Sequence, residues 1–274
     1  MTAQQSNPLD RNPNQLPMTR VATYERCIYA TIDRVWENVL DWEHLPWLHD
    51  SSFDYVSLDT AGEWGWRTWS NPEQTEHVEL CVNRDESEYV ARSYRQGEQV
   101  SEIWTYLAPN GDKTDISVSF DLPNIPAEKK DKLGDIFLGL YTRLWDEDEA
   151  MMQQRQKRLN LRYERSNDTA GKNQLTLDKP LNTPLTVTVG RSEWTIRELD
   201  DQLVVHSAIC PHLLGPLDQT AKTDGRSVQC PWHGYRFDMV SGECLTDSTA
   251  PCKLKTPPKL EETANQITLT LLTQ

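Results

Sequence analysis

The chain has 274 residues, enough for one large domain or two modest ones, and a net charge of −14 without a basic patch to neutralise phosphates, so nucleic acid is excluded as an expected partner. A composition 37% hydrophobic and 26% charged is that of a water-soluble globular protein, and no apolar run approaches the ~20 residues that cross a bilayer. Residues 1–19 are polar and proline-bearing, with neither a cationic start nor an apolar core. They read as a disordered tail without a signal peptide, which sets a cytoplasmic expectation and makes a disulfide framework among the six cysteines unexpected.

Residues 20–163 read as one α+β unit. "TRVATYERCIYA" has the pattern of a strand, and "TIDRVWENVL" that of a helix with Thr31 at its N-cap. "DWEHLPWLHD" follows, holding two of the six histidines, His44 and His49. Strand-like runs come next: "FDYVSLDT", "EWGWRTWS", "EHVELCVNR", "EYVARSYRQ", "SEIWTYLAP" and "TDISVSFDLP". The Asn-Gly of "APNGDK" marks a hairpin between the last two. Trp64, Trp66 and Trp69 fit either a pocket lining or core packing; His77 fits a cavity lining or a solvent-facing place, and structural roles are expected for it and for His206.

A long helical pattern covers residues 128–161. At ~100° per residue, Phe137, Leu140, Tyr141, Leu144 and Met151 share one face, and Asp148 lies in the middle of that stripe. Asp146, Glu147 and Glu149 point elsewhere, towards solvent. A carboxylate on a core-facing stripe needs either a charged partner, Arg155 being one candidate, or a metal, because burying it alone costs several kcal/mol.

Residues 164–174 are polar and read as a linker. Beyond them, over 175–274, short β-branched runs alternate with turn residues and close on "QITLTLL", an all-β pattern. This unit holds Cys210-x-His212, seventeen further residues, then Cys230-x-x-His233. Two loops that each offer one thiolate and one imidazole can bind a metal. A Cys2His2 zinc site is the competing reading, but zinc sites usually pair like ligands.

The C-x-H and C-x-x-H-G loops resemble the Rieske [2Fe–2S] domain over residues 175–274. That resemblance implies that Cys210 and Cys230 hold one iron and His212 and His233 the other. Positions that carry a bridging cysteine pair in respiratory members are Gly215 and Trp232 here. Where many oxygenases have Arg-Gly after the first histidine, this chain has Leu213-Leu214.

The order strand–helix–helix–sheet–long helix over residues 20–163 resembles the START-like, or SRPBCC, fold, a curved antiparallel sheet gripping a C-terminal helix around an apolar cavity. Rieske non-haem iron oxygenases combine these two modules, usually in the reverse order. Their D-x-x-H-x(4)-H spacing is matched by Asp41, His44 and His49, and their E-D pair by Glu147-Asp148. The resemblance implies a mononuclear Fe(II) site of His44, His49 and Asp148, with Asp41 orienting His44 and linking the two iron centres. Residues five apart diverge by about 140° on a regular helix, and Pro46 can bend the two imidazoles together. The resemblance further implies NAD(P)H-derived electrons from a partner reductase or ferredoxin, O2, a small apolar, aromatic or cyclic substrate that is hydroxylated or demethylated, and a homo-trimer. The alternative is a Rieske electron carrier or redox sensor fused to a START-like hydrophobic-ligand pocket with no second metal.

Overall fold

The computed structural model describes residues 17–167, 172–246 and 252–271. Most of the expected tail, and residues 168–171 of the expected linker, lie outside the described residues. The chain divides into two compact units, Met1–Gln153 and Gln154–Gln274. Among the described residues no helix is long and apolar enough to cross a membrane.

The first unit is a seven-stranded antiparallel sheet in the order β1-β7-β6-β5-β4-β3-β2. It is built from β1 (Met18–Ile28), β2 (Ser57–Gly62), β3 (Gly65–Trp69), β4 (Glu76–Asn83), β5 (Glu88–Arg95), β6 (Glu98–Asn110) and β7 (Lys113–Pro123). Strand β1 begins one residue before the expected start, and β2 begins only at Ser57, four residues into "FDYVSLDT". The β6–β7 hairpin closes on Asn110 opposite Lys113, so its two turn residues are Gly111 and Asp112 rather than Asn-Gly, with Gly111 first at a φ of +65°, where glycine is free of strain. Helices α1 (Ile32–Leu40) and α2 (Leu45–Leu48) lie between β1 and β2 in the chain, joined by a 3-10 turn over Trp42–His44. Thr31 occupies the N-cap of α1 but makes no side-chain capping bond.

Helix α3 (Lys130–Asn167) follows β7 and reaches past the expected end at 161. Its apolar stripe packs on one sheet face, where the Phe120 ring meets those of Phe137 and Tyr141 at 5.1 and 4.7 Å between centroids. Gly134 sits so close to β1 that a Cβ there would lie 2.7 Å from the Val21 carbonyl oxygen. On the other sheet face a row of charged residues crosses the strands, with Arg67 opposite Glu79, Glu79 opposite Arg92 and Arg92 opposite Glu102, and then two carboxylates, Glu102 and Asp121, side by side. Glu102 is fully buried yet satisfied: it accepts from Arg92 Nε at 3.2 Å and Trp104 Nε1 at 2.8 Å.

The second unit takes in the last turns of α3 and three small antiparallel sheets. One orders β11 (Gln202–Ser207), β10 (Ser192–Leu199) and β9 (Leu185–Val189). The next joins β12 (Thr223–Asp224), β13 (Ser227–Gln229) and β14 (Arg236–Asp238). The last joins β15 (Lys259–Glu262), β16 (Gln266–Thr270) and β8 (Gln174–Asp178). Trp194, Ile196, Ile267 and Leu269 form its apolar centre. The segment Cys210–His212 follows β11, and Cys230–His233 links β13 to β14, so both motifs are carried on loops between strands.

Candidate metal centres

Asp41 ends α1 as its C-cap, the 3-10 turn ends at His44, and Pro46 opens α2. His49 caps α2 with ψ at 37°, outside the helix. This broken path brings the two imidazoles together, with centroids 5.1 Å apart and planes at 73°. Asp148 of α3 completes the group. Its Oδ1 lies 3.1 Å from His49 Nε2 and 3.5 Å from His44 Nε2. One ligand atom from each of the three residues falls within 4.8 Å of the others, and all three residues are buried.

Neighbouring groups hold these donors in place. Asn38 Nδ2 donates to Asp148 Oδ1 at 2.9 Å. Glu147 Oε2 stands 2.6 Å from His49 Nδ1, which fixes Nε2 as the nitrogen facing Asp148. Burial works against charge on His49, but hydrogen bonds to Asp148 and Glu147 outweigh it and hold its pKa above the usual imidazole value. Burial likewise works against the Asp148 carboxylate, and His49 and His44 overcome it, so its pKa is depressed. Asp41 Oδ2 is 3.8 Å from His44 Nδ1, an ion-pair separation rather than a direct hydrogen bond.

One expectation about α3 needs correction. Glu147 and Glu149 do not face solvent: Glu147 meets His49, and Glu149 is buried, accepting from Arg26 at 2.5 Å and from the Tyr29 N–H at 2.8 Å. Asp146 is exposed but also pairs with Arg26. Arg155, offered by the sequence as one candidate partner for Asp148, donates through NH1 to the Leu213 carbonyl at 3.1 Å. The sequence offered no sign of Asn38, and it marked Glu147 only through the E-D pair, without a role at His49.

A cavity of roughly 490 Å³ opens onto His44, His49 and Asp148. Its walls are mainly apolar, with Trp66, Leu80, Tyr89, Ile103, Phe137 and Tyr141 among them. Of the three tryptophans around β3, only Trp66 lines it, its Nε1 donating to the Val39 carbonyl at 2.9 Å. Trp64 packs against Cys81 and Val90, and Trp69 stands edge-on to His77. His77 also lines the cavity, stacked on Tyr94 at 4.5 Å, and burial lowers its pKa.

In the second unit, Cys210 and Cys230 are fully buried and close enough to share a hydrogen bond. The His212 and His233 rings lie 4.6 Å apart at 85°. Each loop is pinned at its ends: Cys210 N donates to Gly215 O at 2.9 Å, and Cys230 N to Tyr235 O at 2.8 Å. Tyr235, a neighbour that the sequence did not single out, stacks on His212 at 4.7 Å. A Cβ on Gly215 would come within 2.5 Å of Cys230 Sγ, so this glycine makes room for the sulfur. Leu214 takes a φ of +66°, a left-handed conformation uncommon for a branched side chain, where many oxygenases have glycine. Its carbonyl accepts from Arg158, which belongs to the same unit. His206 is buried on β11 in a structural setting, between Arg197 Nε and the Ser207 carbonyl.

Two thiolates and two imidazoles on paired loops fit a [2Fe–2S] centre in which each iron takes like ligands. Two imidazoles and a carboxylate facing a cavity fit a mononuclear iron that keeps open positions.

Residues 172–258 match the Rieske [2Fe-2S] domain, and this part of the chain is a Rieske iron–sulfur domain. Across 94 residues the chain is 33% identical to cholesterol 7-desaturase nvd of Xenopus laevis, a match covering 31% of this chain and 21% of that protein. The chain thus spans about a fifth of the length of that curated relative. A ferredoxin of Sphingomonas yanoikuyae B1 aligns over 36% of this chain and 100% of its own, at 21% identity and a TM-score of 0.30. The ZhuI aromatase/cyclase from Streptomyces sp. R1128 aligns over 51% of this chain and 96% of its own, at 11% identity and a TM-score of 0.40.

Proposed function

We propose that the chain is a Rieske-type oxygenase component, with a START-like catalytic unit placed before its Rieske domain. Cys210, Cys230, His212 and His233 hold a [2Fe–2S] cluster, and His44, His49 and Asp148 hold a mononuclear Fe(II). When bound, the cluster supplies single electrons and the mononuclear iron supplies open positions for reduction of O2 beside a substrate. The electrons come from NAD(P)H through a partner reductase or ferredoxin.

The observation that carries this reading is the convergence of His44, His49 and Asp148, all buried, at the lining of an apolar cavity. A pocket that only binds a hydrophobe gains nothing from burying three ionisable groups, because a buried ion pair is often no more stable than apolar packing. The protein's own groups then have defined tasks. Glu147 accepts the Nδ1 proton of His49 and leaves the Nε2 lone pair directed at the metal position. Asn38 donates to Asp148 Oδ1 and orients the carboxylate. Asp41 stands beside His44 Nδ1 and is the residue proposed to couple the two iron centres. The aromatic and aliphatic walls favour a small apolar substrate, hydroxylated or demethylated, and exclude water from it.

Iron and acid-labile sulfide per chain test the reading on anaerobically purified, Fe(II)-reconstituted protein. The expected result is about three irons per two sulfides, falling to about two irons in His49→Ala. Two irons in both proteins would instead leave a Rieske electron carrier joined to an apolar-ligand pocket.

A further inference from the structure

We propose that Cys244 and Cys252 form a reversible dithiol–disulfide pair in the Rieske unit, a modification site independent of the oxygenase reading. The backbone register places them opposite one another. Leu254 N donates to the Gly242 carbonyl at 2.9 Å, and Glu243 and Lys253 are antiparallel bridge partners whose side chains form an ion pair. A Cβ on Gly242 would lie 3.4 Å from Leu254 Cβ, in ordinary contact. Residue 242 therefore stands against 254 and 243 against 253, and the next step sets Cys244 against Cys252.

Side-chain alternation sends both cysteines to the face opposite the Glu243–Lys253 ion pair. Directly opposed residues of an antiparallel pair have Cα atoms about 4.5–5.5 Å apart, inside the ~4.4–6.8 Å that a disulfide spans. Both residues are thiols here and both are partly exposed, within reach of a small oxidant. No other cysteine has a cysteine across the strand from it among the described residues: Cys27 faces Asp115, and Cys81 faces Val90 and Gly65.

The location adds consequence. Cys244 bridges Phe237 at the centre of β14, and β14 pairs with β13, the strand that leads into Cys230. Oxidation would clamp the segment around Cys244 to the segment around Cys252 next to the cluster ligands.

The chemistry needs a two-electron oxidant of the peroxide class. One thiolate attacks a peroxide oxygen, giving a sulfenic acid and, after protonation, one water. The second thiol attacks the sulfenic sulfur, forming the S–S bond and releasing a second water. Two thiols and one hydrogen peroxide thus become one disulfide and two waters. A dithiol reductant reverses the change by exchange and is itself oxidised.

The test uses the cluster-loaded full chain, treated with hydrogen peroxide, alkylated and digested with trypsin. Cleavage after Arg236 and Lys253 puts both cysteines in one peptide, residues 237–253, while Cys210 and Cys230 fall in two others. The expected product is this peptide, unalkylated and about 2 Da lighter, with the cluster absorption retained and dithiothreitol restoring double alkylation. C244S and C252S should each abolish the mass loss. The proposal is overturned if the wild-type peptide stays doubly alkylated after peroxide. It is equally overturned if the two sulfurs oxidise separately, or if the only cross-link formed runs to Cys210 or Cys230 with loss of the cluster.

Discussion

Replacing Gly215 with alanine adds one methyl group where the first cluster loop passes the second. That carbon would lie 2.5 Å from Cys230 Sγ and 3.2 Å from two carbons of the Trp232 ring. Gly215 is not among the residues with positive φ, so the backbone there suits any amino acid and only the added carbon matters. Ordinary contacts between carbon and its neighbours are about 3.5–4.0 Å, so the loop or the sulfur must yield by about 1 Å. Little slack exists, because Cys230, Cys210 and Trp232 are all buried and Cys210 N is tied to the Gly215 carbonyl. Overpacking of this kind costs about 1–3 kcal/mol, which at ~1.4 kcal/mol per decade is roughly a 5- to 150-fold loss of cluster retention. The matching control is Gly139→Ala on α3, where an added Cβ meets nothing within 4 Å. There the change should stabilise the helix by up to about 1 kcal/mol. Labile sulfide and visible absorption followed during a chelator challenge, alongside thermal melting, separate the two. If Gly215→Ala holds its cluster as long as wild type, the close approach of loop and sulfur is not what that glycine serves.

Two further outcomes are expected. Glu147→Gln keeps an acceptor near His49 Nδ1 but removes its charge, so Fe(II) affinity at the mononuclear site should fall about 10- to 100-fold while labile sulfide stays constant, and an unchanged titration would remove Glu147 from the site. His206 is held neutral, its pKa lowered to about 4 mainly by burial, with Nε2 accepting from Arg197 and Nδ1 donating to Ser207 O. Because the unfolded chain takes up this proton near pH 6.5 and the folded chain only near pH 4, stability is fully present above 6.5 and falls with pH between those values. The loss from pH 7 to pH 5 is about 2 kcal/mol, and urea unfolding of His206→Gln should lack that part of the pH dependence.

Much of this was legible in the sequence because the signals were local. Alternation marked the strands, Asn110-Gly111 marked the hairpin, and the two Cys/His loops carry their four donors within short, spaced motifs. Asp148 could be found because a carboxylate in an apolar helical stripe contradicts its surroundings. Glu147 could not, since ~100° per residue turns it off that stripe and nothing nearby in sequence says that His49 comes round to meet it. Nor does the sequence around Gly215 say that its missing side chain leaves space for the Cys230 sulfur, which comes from a different loop.

The segment 41–50 shows why the candidate iron site depends on irregular backbone. On an unbroken helix His44 and His49 would face directions about 140° apart, and no single ion could meet both. The chain avoids this by ending α1 at Asp41, tightening to a 3-10 turn, restarting for one turn at Leu45-Pro46 and leaving the helix again at His49. Each break forfeits helical hydrogen bonds, and α2 is too short to be stable alone. What holds it is tertiary: His49 is fixed through Nδ1 by Glu147 and through Nε2 by Asp148, both supplied by the long, regular α3. The rigid helix thus imposes on a locally weak segment the geometry that the segment's own sequence only permits. A substitution on α3 at Glu147 should therefore loosen His49 more than any change within α2 that preserves Pro46.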